Sequence, residues 1–479
     1  MSEGRSEERR DGRAWVGIAG AALVAALLIP SGPPGIGFFL TGTAIAVAVI
    51  AARARPLDLE AAGFAAAALL FLAMATFFDA EWVVAVDVLA AAGCSAVAAT
   101  SARTWASILG APFRVVRETV RVPSAVVASV PRFARRLDPG AAARALGLSA
   151  LLLLTFGALF TSADAAFARL AGDVLLPDVA PELLPARILV GALVLAGAGG
   201  LVLAGRNRAE MLSPSFDDVW NRPPRRPIAT VEWALPLALL DALFAAFVLV
   251  QVTVLFGGHE HVLETTGLTY AQYAREGFFQ LTWIAVLVLG VIAISVRVLR
   301  ETPRQRLLKA LLGTLCALTL VVLVSALRRM DLYEAAYGLT RVRVSVHAAL
   351  LWMGGVFVLV MVAGATRRAG WLPRSVLVFT VAALLAFNAS NPDARIARAG
   401  VERWRSAGDL DGGYLATLSA DAIPTLMELP PEERRCIVGL IGDRTRRASG
   451  AWSSFNLSRE RALDLIGTEA SGCTYVRTY

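Results

Sequence analysis

Apolar residues run through most of this chain in long blocks, broken by short polar connections. Blocks of about 17 to 25 apolar residues mark bilayer-crossing helices, because lipid offers no hydrogen-bond partner to an open backbone and a helix satisfies its own. Eleven spans are predicted, near residues 14–29, 35–52, 59–78, 82–99, 144–160, 188–204, 233–256, 278–296, 307–327, 344–365 and 372–387. The first follows Arg9, Arg10 and Arg13 and has the look of a signal peptide, but the second begins almost at once, so it reads as the first helix. The fold class is all-α: a polytopic helical membrane domain over 14–387, a cytoplasmic tail over 1–13 and a small helical extracytoplasmic domain over 388–479.

In that last segment Asp409-Leu410-Asp411-Gly412-Gly413 interrupts a first helical pattern, 414–418 and 422–429 carry the next, and Pro430-Pro431-Glu432-Glu433 opens another with proline in its first turn. Orientation follows from Arg and Lys, which concentrate in short cytoplasmic loops. One alternate set of connections, which includes the N-terminal tail, holds 27 of them and the other set holds 7. The N-terminus is therefore placed inside and, with eleven spans, the C-terminal segment outside the plasma membrane. The long inner loop 101–143 carries Arg114, Arg117 and Arg121 at helical spacing. It reads as a basic amphipathic stretch lying on anionic lipid, or as a basic signal that only fixes topology.

Composition agrees with a membrane protein: 57% of residues are hydrophobic, 18% are charged and mean hydropathy is +0.62, which excludes a soluble domain. Lys309 is the only lysine, and with the Ala-rich runs this points to GC-rich bacterial coding. The net charge of +8 lies beside apolar spans and within no nucleic-acid-binding motif, so nucleic acid is not an expected partner. Of four cysteines, Cys94 and Cys316 fall inside spans as apolar filler. Cys436 and Cys473 share the oxidising compartment and are expected to form a disulfide, stabilising by ~3–4 kcal/mol.

The chemistry gathers in the polar hairpin Arg328 to Arg343, between the ninth and tenth spans. Arg341 and Arg343 oppose two rules, since they sit on the outer side and at the positive end of a helix. Asp331 and Glu334, spaced i, i+3 on a continuation of the ninth helix that Gly338 would cap, are the expected counter-charges. Arg343 stands one turn from His347, so both reach toward an anion at the helix start. With Arg328, Tyr333 and Tyr337 these residues form a candidate site for an anionic ligand or partner, or else an internal salt-bridge network.

Tyr273, Arg275 and Glu276, at the mouth of the eighth span, join that site. The nearby Gly258-His259-Glu260-His261 lacks metal-ligand spacing, so no metal and no cofactor is implied. Asp241 and Asp87 lie inside spans, where an acid is by default functional or paired. There is no phosphate-cradling GxxxxGK[ST], no GxSxG and no CxxC.

Five motifs resemble a bacterial membrane-protein family catalogued as domain of unknown function 4173, related to 4153. They are Leu255-Phe256-Gly257-Gly258, Tyr273-Ala274-Arg275-Glu276-Gly277-Phe278, the hairpin from Asp331 to Thr340, Asn391-Pro392-Asp393-Ala394, and Trp452 to Ser458. The likeness covers about residues 230 to 460; it implies an integral membrane protein and lends no activity or catalytic residue. The first functional expectation is a non-enzymatic envelope protein that binds, through its outer polar face and tail, an anionic lipid or envelope component or an extracytoplasmic protein. Whether the chain is an enzyme stays open: a lipid-linked glycosyltransferase-like enzyme with an acid such as Asp79, Glu81 or Asp331 beside a groove is the second reading. A transporter using Asp241 and Asp87 is the third.

Overall fold

A computed structural model describes residues 2–53, 56–129, 147–148, 181–206, 229–256, 278–299, 302–366, 369–448 and 451–467. Among them there are helices and no strands. Eight helices are long and apolar enough to cross a membrane, and two shorter apolar ones, Ala14–Leu28 and Ile36–Ala51, precede them. These ten stand where ten of the predicted spans lie; the remaining one, near 144–160, falls outside the described residues but for 147–148.

The chain divides into two compact units, Met1–Ser213 with Gly412–Tyr479, and Pro214–Asp411. The C-terminal segment is thus shared between them.

The first unit contains α1 (Ser2–Leu28), α2 (Ile36–Ala51), α3 (Leu59–Phe77), α4 (Glu81–Thr100), α5 (Trp105–Thr119), α6 (Val122–Ser129) and α7 (Leu184–Arg206). Helix α1 packs between α2 and α7, and α3 lies along α4. Small residues allow the close approaches: a Cβ on Gly199 would stand 2.7 Å from a Val122 methyl, and one on Gly200 2.9 Å from the Val115 carbonyl oxygen. Helix α5 starts with a Thr104/Ser107 capping box, buries Ile108 and Ala111, and exposes Leu109, Phe113, Val116 and Val120 on another face. Its Glu118, 3% exposed, takes both Arg117 and Arg121.

One end of this unit carries the α2–α3 and α4–α5 connections and the end of α7. There Arg53 donates to the Ala99 carbonyl, Arg206 to the Ala52 carbonyl, and Arg103 pairs with Asp58. Short elements after residue 411 complete the unit at the other end: α14 (Gly412–Leu415), a 3-10 turn (Ala420–Ala422), α15 (Ile423–Leu426), α16 (Pro431–Ala448) and α17 (Leu457–Ile466). Helix α16 begins at Pro431, as its proline predicts. The Ile36 amide donates to the Phe455 carbonyl at 3.0 Å, and a Cβ on Gly35 would stand 2.5 Å from the Ser454 carbonyl carbon. Only glycine fits there.

The second unit contains α8 (Thr230–Phe256), α9 (Phe278–Val298), α10 (Gln305–Tyr337), α11 (Arg341–Thr366), α12 (Leu372–Ala389) and α13 (Pro392–Ala407). Helix α10 touches α8, α9 and α11 and supplies more of the buried core than any of them, including Leu315, Leu323 and Ala326. Its 33 residues rise roughly 50 Å, well beyond a hydrocarbon core of about 30 Å. The surplus is the polar C-terminal end. Gln251 of α8 accepts from Ser325 Oγ and from Arg329, both at 2.8 Å, so the Arg329 charge enters the core with a partner.

Gly200→Val should weaken the first unit by about 1–3 kcal/mol, because the added methyls meet the α5 backbone. Melting curves in detergent, with Gly197→Ala as the control that meets nothing within 4 Å, check this; equal losses in both would refute the close approach.

Candidate functional site

Helix α10 ends at Tyr337 because Gly338, at φ 77°, takes a conformation that other residues resist, and its amide donates to the Glu334 carbonyl at 2.8 Å. That leaves the last carbonyls of α10 pointing past the end of the helix, where they need donors. Two guanidiniums supply them. Arg343 donates to the carbonyls of Tyr337, at 2.9 Å, and Gly338, while Arg403 of α13 donates to Ala336 O at 3.1 Å and to Asp409 at 2.9 Å. The Arg343 guanidinium also lies over the Tyr333 ring at 4.3 Å, with Tyr337 tilted beside it.

This corrects the expected pairing. Arg343 does not meet Asp331 or Glu334; it neutralises the carbonyl end of the preceding helix. Arg341 does not meet them either. Its Nε and Nη2 contact the two Asp393 oxygens at 3.1 and 2.6 Å, a bidentate pair whose carboxylate is 0% exposed. Asp393 lies in the first turn of α13, where the helix dipole also favours its charge. Arg328 is exposed.

The acids therefore face a different partner. His347 Nδ1 stands 3.8 Å from Asp331 Oδ1 and 3.8 Å from Glu334 Oε1, and the three donor atoms lie within 4.8 Å of one another. Tyr273, Arg275 and Glu276, like His259 and His261, lie outside the described residues. Cys436 is disulfide-bonded, and Cys473, its expected partner, is also outside them. Of the intramembrane acids, Asp87 is 3% exposed and Asp241 8% exposed. Both Asp241 oxygens lack a hydrogen-bond partner among the described residues, with Cys316 in electrostatic reach.

The first unit holds a polar cluster that sequence spacing did not reveal, because its members are more than 300 residues apart. Asp421 Oδ2 accepts from the Asp79 and Ala80 amides at the start of α4, at 2.9 and 3.0 Å. In return Asp79 Oδ2 accepts the Ala420 amide at 3.1 Å, and its Oδ1 pairs with Arg459 at 2.9 Å. Each carboxylate thus caps the other's helix start. Asn456 adds bonds to the Ala75 and Phe78 carbonyls, both 2.8 Å, and Arg459 donates to the Pro34 carbonyl. Asp79 is consequently committed to the tail. Burial pushes its carboxyl up to about 6, against the pull of Arg459 and the Ala420 amide, while Asp421 and Glu81 add to the rise. Burial also pulls the Arg459 guanidinium down.

A family model described as domain of unknown function DUF4153 matches residues 64–429. The chain belongs to that family. The match starts within α3 and so takes in α4 and α7, which the motif resemblance left out, while α1 and α2 lie before it. It covers Asp79, Asp331, Glu334, His347, Asp393 and Asp421; Asn456 and Arg459 lie beyond it. No curated protein and no solved structure matches the chain.

Two predictions follow from the pairs. Asp393→Asn leaves Arg341 facing a neutral amide and should cost roughly 3 kcal/mol. Combined with Arg341→Gln the loss should be well short of additive, whereas Asp331→Asn with Arg343→Gln should add within about 0.5 kcal/mol, since those two do not touch. Denaturation of the four single and two double variants in detergent reads this, and additivity in the first cycle would contradict the bidentate pair.

For Asp79 the folded value lies above the unfolded one of 3.8. The stability that it contributes is therefore complete below about pH 4 and lost as pH rises through about 6. Relative to Asp79→Asn, the wild type should lose on the order of 3 kcal/mol between about pH 4 and 7. A pH-independent difference between their melting curves would show that this carboxyl does not titrate there.

Proposed function

We propose that the chain is a non-enzymatic envelope protein of the plasma membrane, with its N-terminus cytoplasmic and its tail outside, that binds or scaffolds through the outward polar ends of its helices. The narrower kinship with domain 4173, carried by the motifs from Asp331 to Thr340 and Asn391 to Ala394, belongs to this reading. So does a count of about eleven spans.

The observation that carries it is how the charges are used. Arg341 and Arg403 are consumed in pinning the α10–α11 turn to α13, Arg343 in closing that turn on the end of α10, and Asp79 in fastening the tail to the first unit. Catalysis needs convergent groups left over for a substrate. Here most are spent on rigidity, which suits a surface that presents a fixed shape to a partner protein or an anionic component. The orientation is supported within the first unit: the Arg-free connections 31–35 and 79–81 lie at the same end as residues 412–467, and Arg53, Arg103 and Arg206 at the other. A transporter is the other reading, favoured by Asp241 inside α8, whose carboxylate has no hydrogen-bond partner among the described residues.

With Glu432→Cys and Arg306→Cys made separately, both at exposed positions, a membrane-impermeant maleimide should label only the first in intact cells and both in permeabilised ones. Labelling of Arg306→Cys alone would invert the topology. A photo-crosslinking residue at exposed Tyr337 should capture a discrete envelope component. Consumption of a lipid-linked donor by the purified protein would instead establish the transferase.

A further inference from the structure

We infer that Asp331, Glu334 and His347 form a binding site for a divalent transition-metal ion, of the Zn²⁺ or Mn²⁺ class. The donor set is two carboxylates from one face of α10 and one imidazole from the start of α11. Their atoms converge without bonding one another. The two 3.8 Å separations from His347 Nδ1 are too long for hydrogen bonds. They are close to what shared ligation produces: two donors each ~2.1 Å from a tetrahedral ion stand about 3.4 Å apart. Asp331 is 47% exposed and free to draw in by the remaining distance.

A second observation points the same way. Glu334 Oε1 is sealed from solvent and has no hydrogen-bond partner among the described residues, although it lies on the side facing His347. A buried carboxylate oxygen without a donor is costly, and a cation removes that cost.

The neighbouring guanidiniums do not supply it. Arg343 and Arg395 are in electrostatic reach of Glu334, but Arg343 is held by the Tyr337 and Gly338 carbonyls and by the Tyr333 ring, and Arg395 is exposed. Arg341 is taken by Asp393. Two negative charges and an imidazole are thus left together, and mixed oxygen and nitrogen donors suit Zn²⁺ and Mn²⁺ better than Ca²⁺ or Mg²⁺. Three protein ligands leave at least one coordination position open. Under the outward-binding reading, which this inference deepens, that position is where an anionic group of a partner would attach. Metal binding itself is measured on purified protein, so its outcome does not depend on topology or on any partner.

The purified full-length protein, stripped with a chelator and exchanged into detergent, is titrated with Zn²⁺ and then Mn²⁺ against a chromophoric competitor. One equivalent per chain is expected, with a rise in melting temperature. Glu334→Gln and His347→Asn should each weaken binding at least tenfold. The double variant His259→Gln/His261→Gln, which removes the only other histidines, should bind as wild type. Should a ligand variant fail to fold, Asp331→Asn, at the most exposed of the three positions, gives the same readout. Absence of a stoichiometric site, or its loss with His259 and His261 while His347→Asn binds normally, overturns the proposal. So does a melting temperature that responds to protonation of His347 and not to metal, which would make the cluster an ordinary ion pair.

Discussion

The second unit depends on one requirement: the last carbonyls of α10 must find donors. A helix of 33 residues outruns the bilayer core, and ending it at Gly338 exposes a ring of acceptors carrying the negative end of the helix dipole. The next helix starts three residues later with its own positive end. Arginine at that start looks misplaced when α11 is considered alone. It is explained once the end of α10 is included, because Arg343 reaches back to the Tyr337 and Gly338 carbonyls, and Arg403 arrives from α13 to take Ala336. Arg341, two residues earlier and so on another side of the helix, anchors the same start to the buried Asp393. The turn is held by cations because its backbone is short of donors.

The first unit meets a similar need with the signs reversed. Three residues separate helix α4 from the end of α3, and the amides of Asp79 and Ala80, in that connection just before the first residue of α4, need an acceptor from outside either helix. Asp421 serves them from the tail, and Asp79 serves Ala420 in exchange. Two carboxylates placed so close repel, and burial raises the cost of ionising Asp79. Arg459 offsets part of that repulsion. The cluster is stable because every member also satisfies backbone: Asn456 takes the Ala75 and Phe78 carbonyls, and Arg459 that of Pro34.

The helices were legible in the sequence because hydrophobicity is a local signal, and so were single-residue punctuation marks such as Gly338 and Pro431. The hairpin was legible as the place where charge is concentrated. Its pairing was not. Asp331 and Glu334 are close to Arg341 and Arg343 along the chain, but the helix rise and the direction of each side chain carry Arg341 to Asp393, 52 residues on. Asn391-Pro392-Asp393-Ala394 was visible as a motif, yet nothing local says that its acid is buried against another helix. Asp79 gave the same difficulty: it read as a free acid at the mouth of a span, and its partners Asp421 and Arg459 are separated from it by nearly the whole membrane domain.

What distinguishes the acids of this chain is whether a cation reaches them. Asp393 has a bidentate guanidinium and Glu118 has two arginines. Asp331 and Glu334 have an imidazole at a distance that forms no hydrogen bond, although arginines surround them. If those arginines served only to neutralise nearby acids, Arg343 would turn from the carbonyls of α10 to Glu334. It does not: its guanidinium stays on the Tyr337 and Gly338 carbonyls and over the Tyr333 ring, and Glu334 is left without it. The backbone claims the fixed cations first. The negative charge that remains is placed where a mobile cation, or a partner carrying one, can reach it.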